Sequence, residues 1–267
     1  MIKDITLGQY IPGDSFVHKL DPRIKILISL IYIINLFIVN NLKGYIFVII
    51  FTLAAILISK VPFKFIYRGL KPIFVLILIT AVLNVFMTSG GRVLFKWRFI
   101  TIYEEGLKLA IFMVVRLVFL IIGTSLLTLT TSPIELTDGI EKLLNPLKRI
   151  GVPAHELAMM MTIALRFIPT LMDETDKIMK AQMARGADFE SGNLLQRAKS
   201  LIPLLVPLFI SSFRRAEELA MAMEARCYRG GEGRTRMKQL KFEGKDLVAS
   251  LCTVALVSLS IWSRAFV

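Results

Sequence analysis

Two arginines at the ends of helical segments are the residues in this sequence best placed to act on another molecule. An arginine in the last turn of a helix interacts favourably with the helix dipole, and a glycine just beyond it is the commonest residue at which helices end. One such tip therefore needs no partner to explain it. Two of them, on methionine-rich helices, favour a chain that presents a cation at each tip to two similar partners. The two sites are Ala184-Arg185-Gly186 and Ala225-Arg226-Cys227.

The rest of the sequence lacks the motifs of common catalytic sites. The glycine-rich segment at 230–235 lacks the lysine of a phosphate-binding loop and follows a helix, so we do not expect this chain to bind ATP. The only histidines are His18 and His155, in different segments, and His155 is interpreted as an ordinary residue of a helix start. No Ser/His/Asp set is evident. We therefore expect no catalytic residue, cofactor or metal in the chain itself.

The composition indicates a membrane protein. The 267 residues are 55% hydrophobic and carry a formal net charge of +13. A soluble domain of this size would expose far more polar surface, so a polytopic membrane protein is the expected class. The basic residues flank apolar runs instead of forming a stripe, which argues against a nucleic-acid partner. Cys227 and Cys252 are too few for a disulfide framework or a metal site.

Five apolar stretches are each long enough to cross a bilayer. The N-terminal segment and the connection at 60–71 are rich in Lys and Arg, so the positive-inside rule places both in the cytoplasm. Five crossings then put the C-terminus outside the cell. The predicted spans are residues 24–39, 44–59, 72–87, 107–130 and 247–262.

Arg116 lies near the middle of the fourth predicted span. An ion inside a membrane is a functional candidate by default. A tilted helix would alternatively let Arg116 snorkel or pair with the interior of the cytoplasmic region. The sequence leaves both interpretations open.

The fold class predicted is an all-α polytopic membrane protein. It has about five transmembrane helices and a cytoplasmic domain of long, proline-bent amphipathic helices. An N-terminal membrane domain with four spans is predicted at 1–130, the cytoplasmic domain at 131–245, and a C-terminal transmembrane helix at 246–267.

Three helices are predicted in the cytoplasmic domain. Prolines inside a helix remove a hydrogen bond and bend it, so we expect bends at Pro169, Pro203 and Pro207. The apolar stretch at 201–213 is too short to cross a membrane and is expected to be buried against the spans. The first helix runs from an N-cap at Ser132 to about Leu144, the second from near Pro153 to Gly186, and the third from near Asn193 to the glycines at 230–233.

Over nearly its whole length the chain resembles a known family, the transmembrane T component of energy-coupling factor (ECF) transporters, also called the EcfT or CbiQ family. The family carries two Ala-Arg-Gly motifs at the ends of coupling helices. The first is matched fully, whereas Cys227 stands where the second usually has glycine. This difference leaves the role of Arg226 intact and affects only the local backbone. The matching segments are residues 131–133 (TSP), 143–147 (LLNPL), 164–170 (ALRFIPT), 181–189 (AQMARGADF) and 222–226 (AMEAR).

The resemblance implies an importer of several subunits in a prokaryotic cell membrane. Two related ABC-type ATPases, which hold the ATP and Mg, would each receive one coupling helix in a surface groove. There Arg185 and Arg226 would pair with carboxylates, to which a guanidinium can make two directed hydrogen bonds. A separate small membrane protein, the S component, would capture a vitamin or other micronutrient.

Coupling in such an importer would pass through the two long helices. Closure of the ATPase pair would move the two tips, and the proline-bent helices would carry the motion to the S component and release substrate inward. Apolar side chains behind the tips would contact the ATPases and the S component. These are Met172, Met179, Met183, Leu219 and Met223.

Two other functions fit the sequence less well. An independent secondary transporter would need an internal repeat and interrupted spans that meet at the midplane, and no convincing repeat is visible. An integral membrane enzyme would need a cluster of His, Cys or paired carboxylates, whereas Asp173, Glu174 and Asp176 look like a solvated helix face. Copurification discriminates between them, because only a T component should bring down two ATPases.

Overall fold

A computed structural model describes residues 10–97, 100–189, 193–231 and 240–265 of the chain. The described residues are mainly α-helical, which confirms the predicted all-α fold class, and the only strands among them form one short β-hairpin. They divide into two compact units. The span unit comprises the described residues within 8–140 and 239–267, and the tip unit comprises those within 141–238.

The span unit contains most of the apolar helices. Its hairpin pairs β1 and β2 antiparallel, and a 3-10 turn at Lys71–Ile73 joins α3 to α4. The helix α6 begins in this unit and ends in the tip unit. The elements are α1 (Pro22–Ile38), α2 (Leu42–Ser59), α3 (Phe63–Leu70), α4 (Phe74–Met87), β1 (Val93–Trp97), β2 (Ile100–Tyr103), α5 (Glu104–Thr130), α6 (Pro133–Leu144) and α10 (Gly244–Ala265).

Three helical segments of the described chain are long and apolar enough to cross a membrane: Phe63–Met87, Glu104–Thr130 and Gly244–Arg264. Lys43–Ser59 is apolar but shorter, and α1 has 17 residues. The five crossings and their orientation therefore stay a prediction. The basic connection predicted at 60–71 is largely helical, because it contains α3. This helix buries Ile66 and leads through the 3-10 turn into α4.

Polar side chains tie the helices of the span unit together. The Tyr32 hydroxyl lies 2.8 Å from the Thr52 hydroxyl and joins α1 to α2. The Asn35 amide donates to the Ser260 hydroxyl at 3.2 Å and joins α1 to α10. Such hydrogen bonds between helices satisfy polar side chains that have no water to bond with inside a bilayer.

The guanidinium of Arg116 contacts the end of α1. It donates to the Val39 carbonyl at 3.3 Å and to the Asn40 side-chain oxygen at 2.9 Å, and it lies over the Phe37 ring, 5.4 Å from its centroid. Pairing with the cytoplasmic region, which was one part of the second interpretation of Arg116, is not among these contacts. A cation at the C-terminal end of a helix satisfies free carbonyls and favours the helix dipole.

The tip unit is built mainly from two long helices. Before this unit, within the span unit, the predicted start of α6 is confirmed, because the Ser132 hydroxyl accepts a hydrogen bond from the Glu135 backbone N–H at 3.3 Å. The second predicted helix is also confirmed, since α7 ends one residue before Arg185 and Gly186 has a φ of 87°. The elements are α7 (Ala154–Ala184), α8 (Leu194–Ser200) and α9 (Ile202–Ala225), and a 3-10 turn at Asn145–Ile150 precedes them.

The predicted third helix is divided in two. The helix α8 ends at Ser200, and Pro203 lies in the first turn of α9, where a missing N–H costs no hydrogen bond. Pro203 therefore begins a helix instead of bending one. Pro169 and Pro207 do lie inside continuous helices. The helix α9 ends at Ala225, before the predicted glycine cluster, because Cys227 takes a left-handed conformation.

Candidate functional site: two helix tips

The end of α7 is closed by two backbone hydrogen bonds. The Gly186 N–H donates to the Met183 carbonyl and the Ala187 N–H donates to the Gln182 carbonyl, both at 3.0 Å. This pair of bonds is the Schellman motif, which satisfies carbonyls that a helix end leaves free. Gly186 supplies the positive φ that the motif requires.

The end of α9 repeats the same motif. The Cys227 N–H donates to the Glu224 carbonyl at 2.8 Å, and the Tyr228 N–H donates to the Met223 carbonyl at 3.0 Å. Cys227 has a φ of 55°, a conformation that costs a non-glycine residue about 1–2 kcal/mol. Cys227 therefore takes the same kind of backbone geometry at the second tip as Gly186 takes at the first.

The two arginines occupy equivalent positions at these ends. Arg185 and Arg226 are the cap residues directly after the last helical residue, with φ of −90° and −93°. Both are exposed, together with Ala184 and Ala225 before them. Within the described ranges, neither guanidinium has a hydrogen bond or an ion pair. Their exposure makes both arginines accessible to a carboxylate of another molecule.

The helices α7 and α9 are antiparallel. Arg215 of α9 donates to Glu174 of α7 at 2.8 Å, and the Gln182 amide near the end of α7 reaches the carbonyl of Pro203 at 3.5 Å. At the other end, Tyr228 contacts His155 at the start of α7. The two tips thus lie at opposite ends of the pair. The 31 residues of α7 span about 45 Å at 1.5 Å per residue.

Comparison with known proteins identifies the family. The CbiQ family model, described as cobalt transport protein, matches residues 13–237. A protein of Clostridium kluyveri named energy-coupling factor transporter transmembrane protein EcfT is 76% identical over 99% of this chain and 98% of its own length. Proteins of the same name from Thermosediminibacter oceani and Bacillus subtilis are 61% and 51% identical, over 98% and 99% of this chain and 99% and 100% of their own lengths. The chain belongs to the CbiQ/EcfT family. It is therefore the transmembrane component of a transporter.

Glu174 is not part of a solvated face in this CbiQ/EcfT chain. It accepts a hydrogen bond from the Ser211 hydroxyl and forms an ion pair with Arg215. The Ser211 hydrogen bond, with help from Arg215, holds the pKa of Glu174 below its usual value. Sequence reasoning missed this link because nothing local to Glu174 indicates a partner on another helix.

His155 is more than an ordinary residue of a helix start. Its Nδ1 lies 3.1 Å from a Glu141 carboxylate oxygen and its Nε2 lies 3.2 Å from the Tyr228 hydroxyl. The motifs that mark the CbiQ/EcfT family in this chain do not include this set. Within the described ranges, no three His, Cys, Asp or Glu side chains are placed to hold a metal ion.

The apolar side chains of the tip unit differ in exposure. Met172, Met179, Leu219 and Met223 are partly buried, whereas Met183 is 48% exposed. The stretch at 201–213, predicted to be buried, instead carries an exposed apolar face on α9. The residues of this α9 face recur every three or four positions and are 52–66% exposed; they are Leu205, Val206, Phe209, Ile210 and Phe213.

Proposed function

We propose that this member of the CbiQ/EcfT family couples two ATPases to a membrane-embedded substrate-binding partner. The observation that carries the proposal is the pair of exposed arginines, held by the same backbone motif at opposite ends of α7 and α9. The helix α7, about 45 Å long, runs from the second tip to the first, which suits two separate proteins better than one small binding site. The relatives, which are named transporter transmembrane proteins, support the same reading.

Each tip would bind one ABC-type ATPase. Arg185 and Arg226 would each pair with carboxylates in a surface groove of that subunit, where a planar guanidinium makes two parallel hydrogen bonds. Removing one partner of such a pair costs on the order of 2–5 kcal/mol. ATP and Mg would bind to the ATPases and not to this chain.

The α9 face would bind the S component, the small membrane protein that captures the substrate. An exposed patch of five large apolar side chains on one helix favours a protein or membrane partner over water. Apolar side chains behind the tips would supply contact area, and the methionines among them would repack as the helices move because their side chains are flexible. These residues are Met183 and the partly buried Met172, Met179, Leu219 and Met223. The substrate would be a vitamin or another micronutrient.

Motion would pass from the tips to the α9 face. The ion pair between Glu174 and Arg215 joins α7 to α9 in their central parts, so a displacement at either tip would move both helices. Closure of the ATPases on ATP would bring the tips to new positions. Pro169 and Pro207 interrupt the hydrogen bonding inside these helices and would let them flex. The S component would then reorient and release its substrate to the cytoplasm, where we place the tips.

Purification of the full chain from its native membrane tests the proposal. A coupling component should bring down two ATPase subunits and a small membrane protein in a stable complex. An independent carrier would transport substrate when purified alone and placed in vesicles. That second result would contradict the proposal.

A further inference from the structure

A hydrogen-bonded set of three side chains lies at the second tip. It joins Glu141 of α6, His155 of α7 and Tyr228, which follows α9. A carboxylate only accepts, so His155 Nδ1–H donates to Glu141, and in the neutral imidazole Nε2 accepts from the Tyr228 hydroxyl. The side chains of His155 and Glu141 are 23% and 13% exposed, and hydrogen bonds are stronger in such partly buried sites.

Gly231 holds the other side of the imidazole. A Cβ built on Gly231 would lie 2.5 Å from Cδ2 of His155, so only glycine allows this approach. The chain after α9 therefore folds back over the ring, and the imidazole is contacted by residues before and after it. This set of contacts is called the His155 tether below.

The His155 tether acts directly on the cap of α9. Tyr228 donates its backbone N–H to Met223 to complete the Schellman motif, and its hydroxyl reaches His155. Arg226 lies two residues earlier, and Cys227 between them is in the left-handed conformation that a cysteine rarely adopts. The tether thus restrains the residue that follows a strained cap.

The first tip carries a different residue at the position of Tyr228. Ala187 occupies the position that Tyr228 occupies at the second tip, and its side chain is a single methyl group. Among the described residues, no atom lies within 4 Å of a Cβ built on Gly186. The two tips share a backbone motif but differ in the side chain that follows the left-handed residue.

We infer that His155 is a positioning residue, which acts through Tyr228 to hold Arg226 in the orientation that binds an ATPase. The inference rests on the proposed function of Arg226.

Hydrogen–deuterium exchange on the full chain tests the tether without any partner. Tyr228→Phe and His155→Phe should each speed exchange of the Cys227 and Tyr228 amides by about threefold to tenfold, the effect of one lost hydrogen bond. The amides of Gly186 and Ala187 at the first tip serve as the internal control and should not change. His155→Gln, which keeps one donor and one acceptor, should restore slow exchange. Unchanged exchange in both Phe variants would overturn the tether.

Assembly with the ATPases tests positioning. In an Arg185→Ala background only the second tip can bind, and His155→Phe should lower the copurified ATPase by about threefold to tenfold further. In an Arg226→Ala background His155→Phe should have no further effect. Equal losses in both backgrounds would show a general structural role and overturn the inference. If neither arginine variant reduced assembly, the proposed function would fail, while the exchange result would still stand.

Discussion

Cys227 occupies at the end of α9 the backbone position that Gly186 occupies at the end of α7. Both residues have positive φ, 55° and 87°, and both donate their N–H to the carbonyl three residues earlier, at 2.8 and 3.0 Å. The two tips are therefore built alike although their residues differ. What matters at this position is the left-handed backbone, which glycine adopts freely and cysteine adopts at a cost.

Substitution of Cys227 tests this point. Cys227→Gly should keep assembly with the ATPases and change the free energy of unfolding by less than about 1 kcal/mol, because relief of backbone strain offsets the flexibility of glycine. Cys227→Val should disrupt the tip, since a β-branched residue at positive φ is a strong outlier. Copurification of the ATPases measures assembly in both variants. Equal assembly of the two variants would contradict a requirement for the left-handed conformation.

The link between α7 and α9 should depend on pH. The pKa of Glu174 is held below 4.5, its ordinary value, so its stabilisation is present above pH 4.5 and is lost as the pH falls through the lower folded-state pKa. Glu174→Gln should lower the thermal stability of the full chain at pH 7 by about 1 kcal/mol. The difference from wild type should vanish in acid.

The neighbouring Asp173→Asn is the matched control, because Asp173 is exposed on the same helix turn. It should have no effect on thermal stability at pH 7. A difference between wild type and Glu174→Gln that persisted unchanged in acid would exclude the ion pair as its source.

The sequence predicted most of the helices but not the contacts between them. Apolar length predicted α1, α2, α4, α5 and α10 but not α3. Ser132 and Gly186 marked the start of α6 and the end of α7 by cap chemistry. The contact between His155 and Tyr228 joins residues 73 positions apart. It depends on the antiparallel pairing of α7 and α9, which no local pattern encodes.

Proline was the most ambiguous residue in the sequence. Pro203 and Pro207 were both expected to bend a helix, yet Pro203 lies in the first turn of α9 and Pro207 lies inside it. A proline is compatible with the first turn and with an interrupted interior, so its position alone does not distinguish them. The exposure of the α9 face was missed for a related reason: apolar composition predicts burial but does not name what covers the surface.

The α9 face should be needed for the S component and not for the ATPases. Replacing Phe209 and Phe213, which are 66% and 61% exposed, with serine should reduce copurification of the small membrane protein by at least about tenfold, because buried aromatic residues dominate interface energies. Leu195→Ser is the control, since Leu195 is 72% exposed on α8. Retention of the small protein by the double serine variant would exclude this face.

Arg116 should stabilise the span unit. Arg116→Leu removes the donor to the Val39 carbonyl and to Asn40, and should lower the free energy of unfolding by about 1–3 kcal/mol. Arg116→Lys should lose less, because it keeps the charge. Thermal stability in detergent measures the effect, and ATPase binding should not change. Loss of transport in a variant of unchanged stability would indicate a direct role in transport instead.

The most direct test of the coupling account is the double variant Arg185→Ala, Arg226→Ala. It removes both exposed cations from the helix tips, and Arg229→Ala is the control because Arg229 is also exposed and lies outside the cap. ATP-driven uptake should be abolished in the double variant while the chain remains in the membrane, and it should be unaffected in the control. Full uptake by a double variant that still assembles with the ATPases would contradict the account.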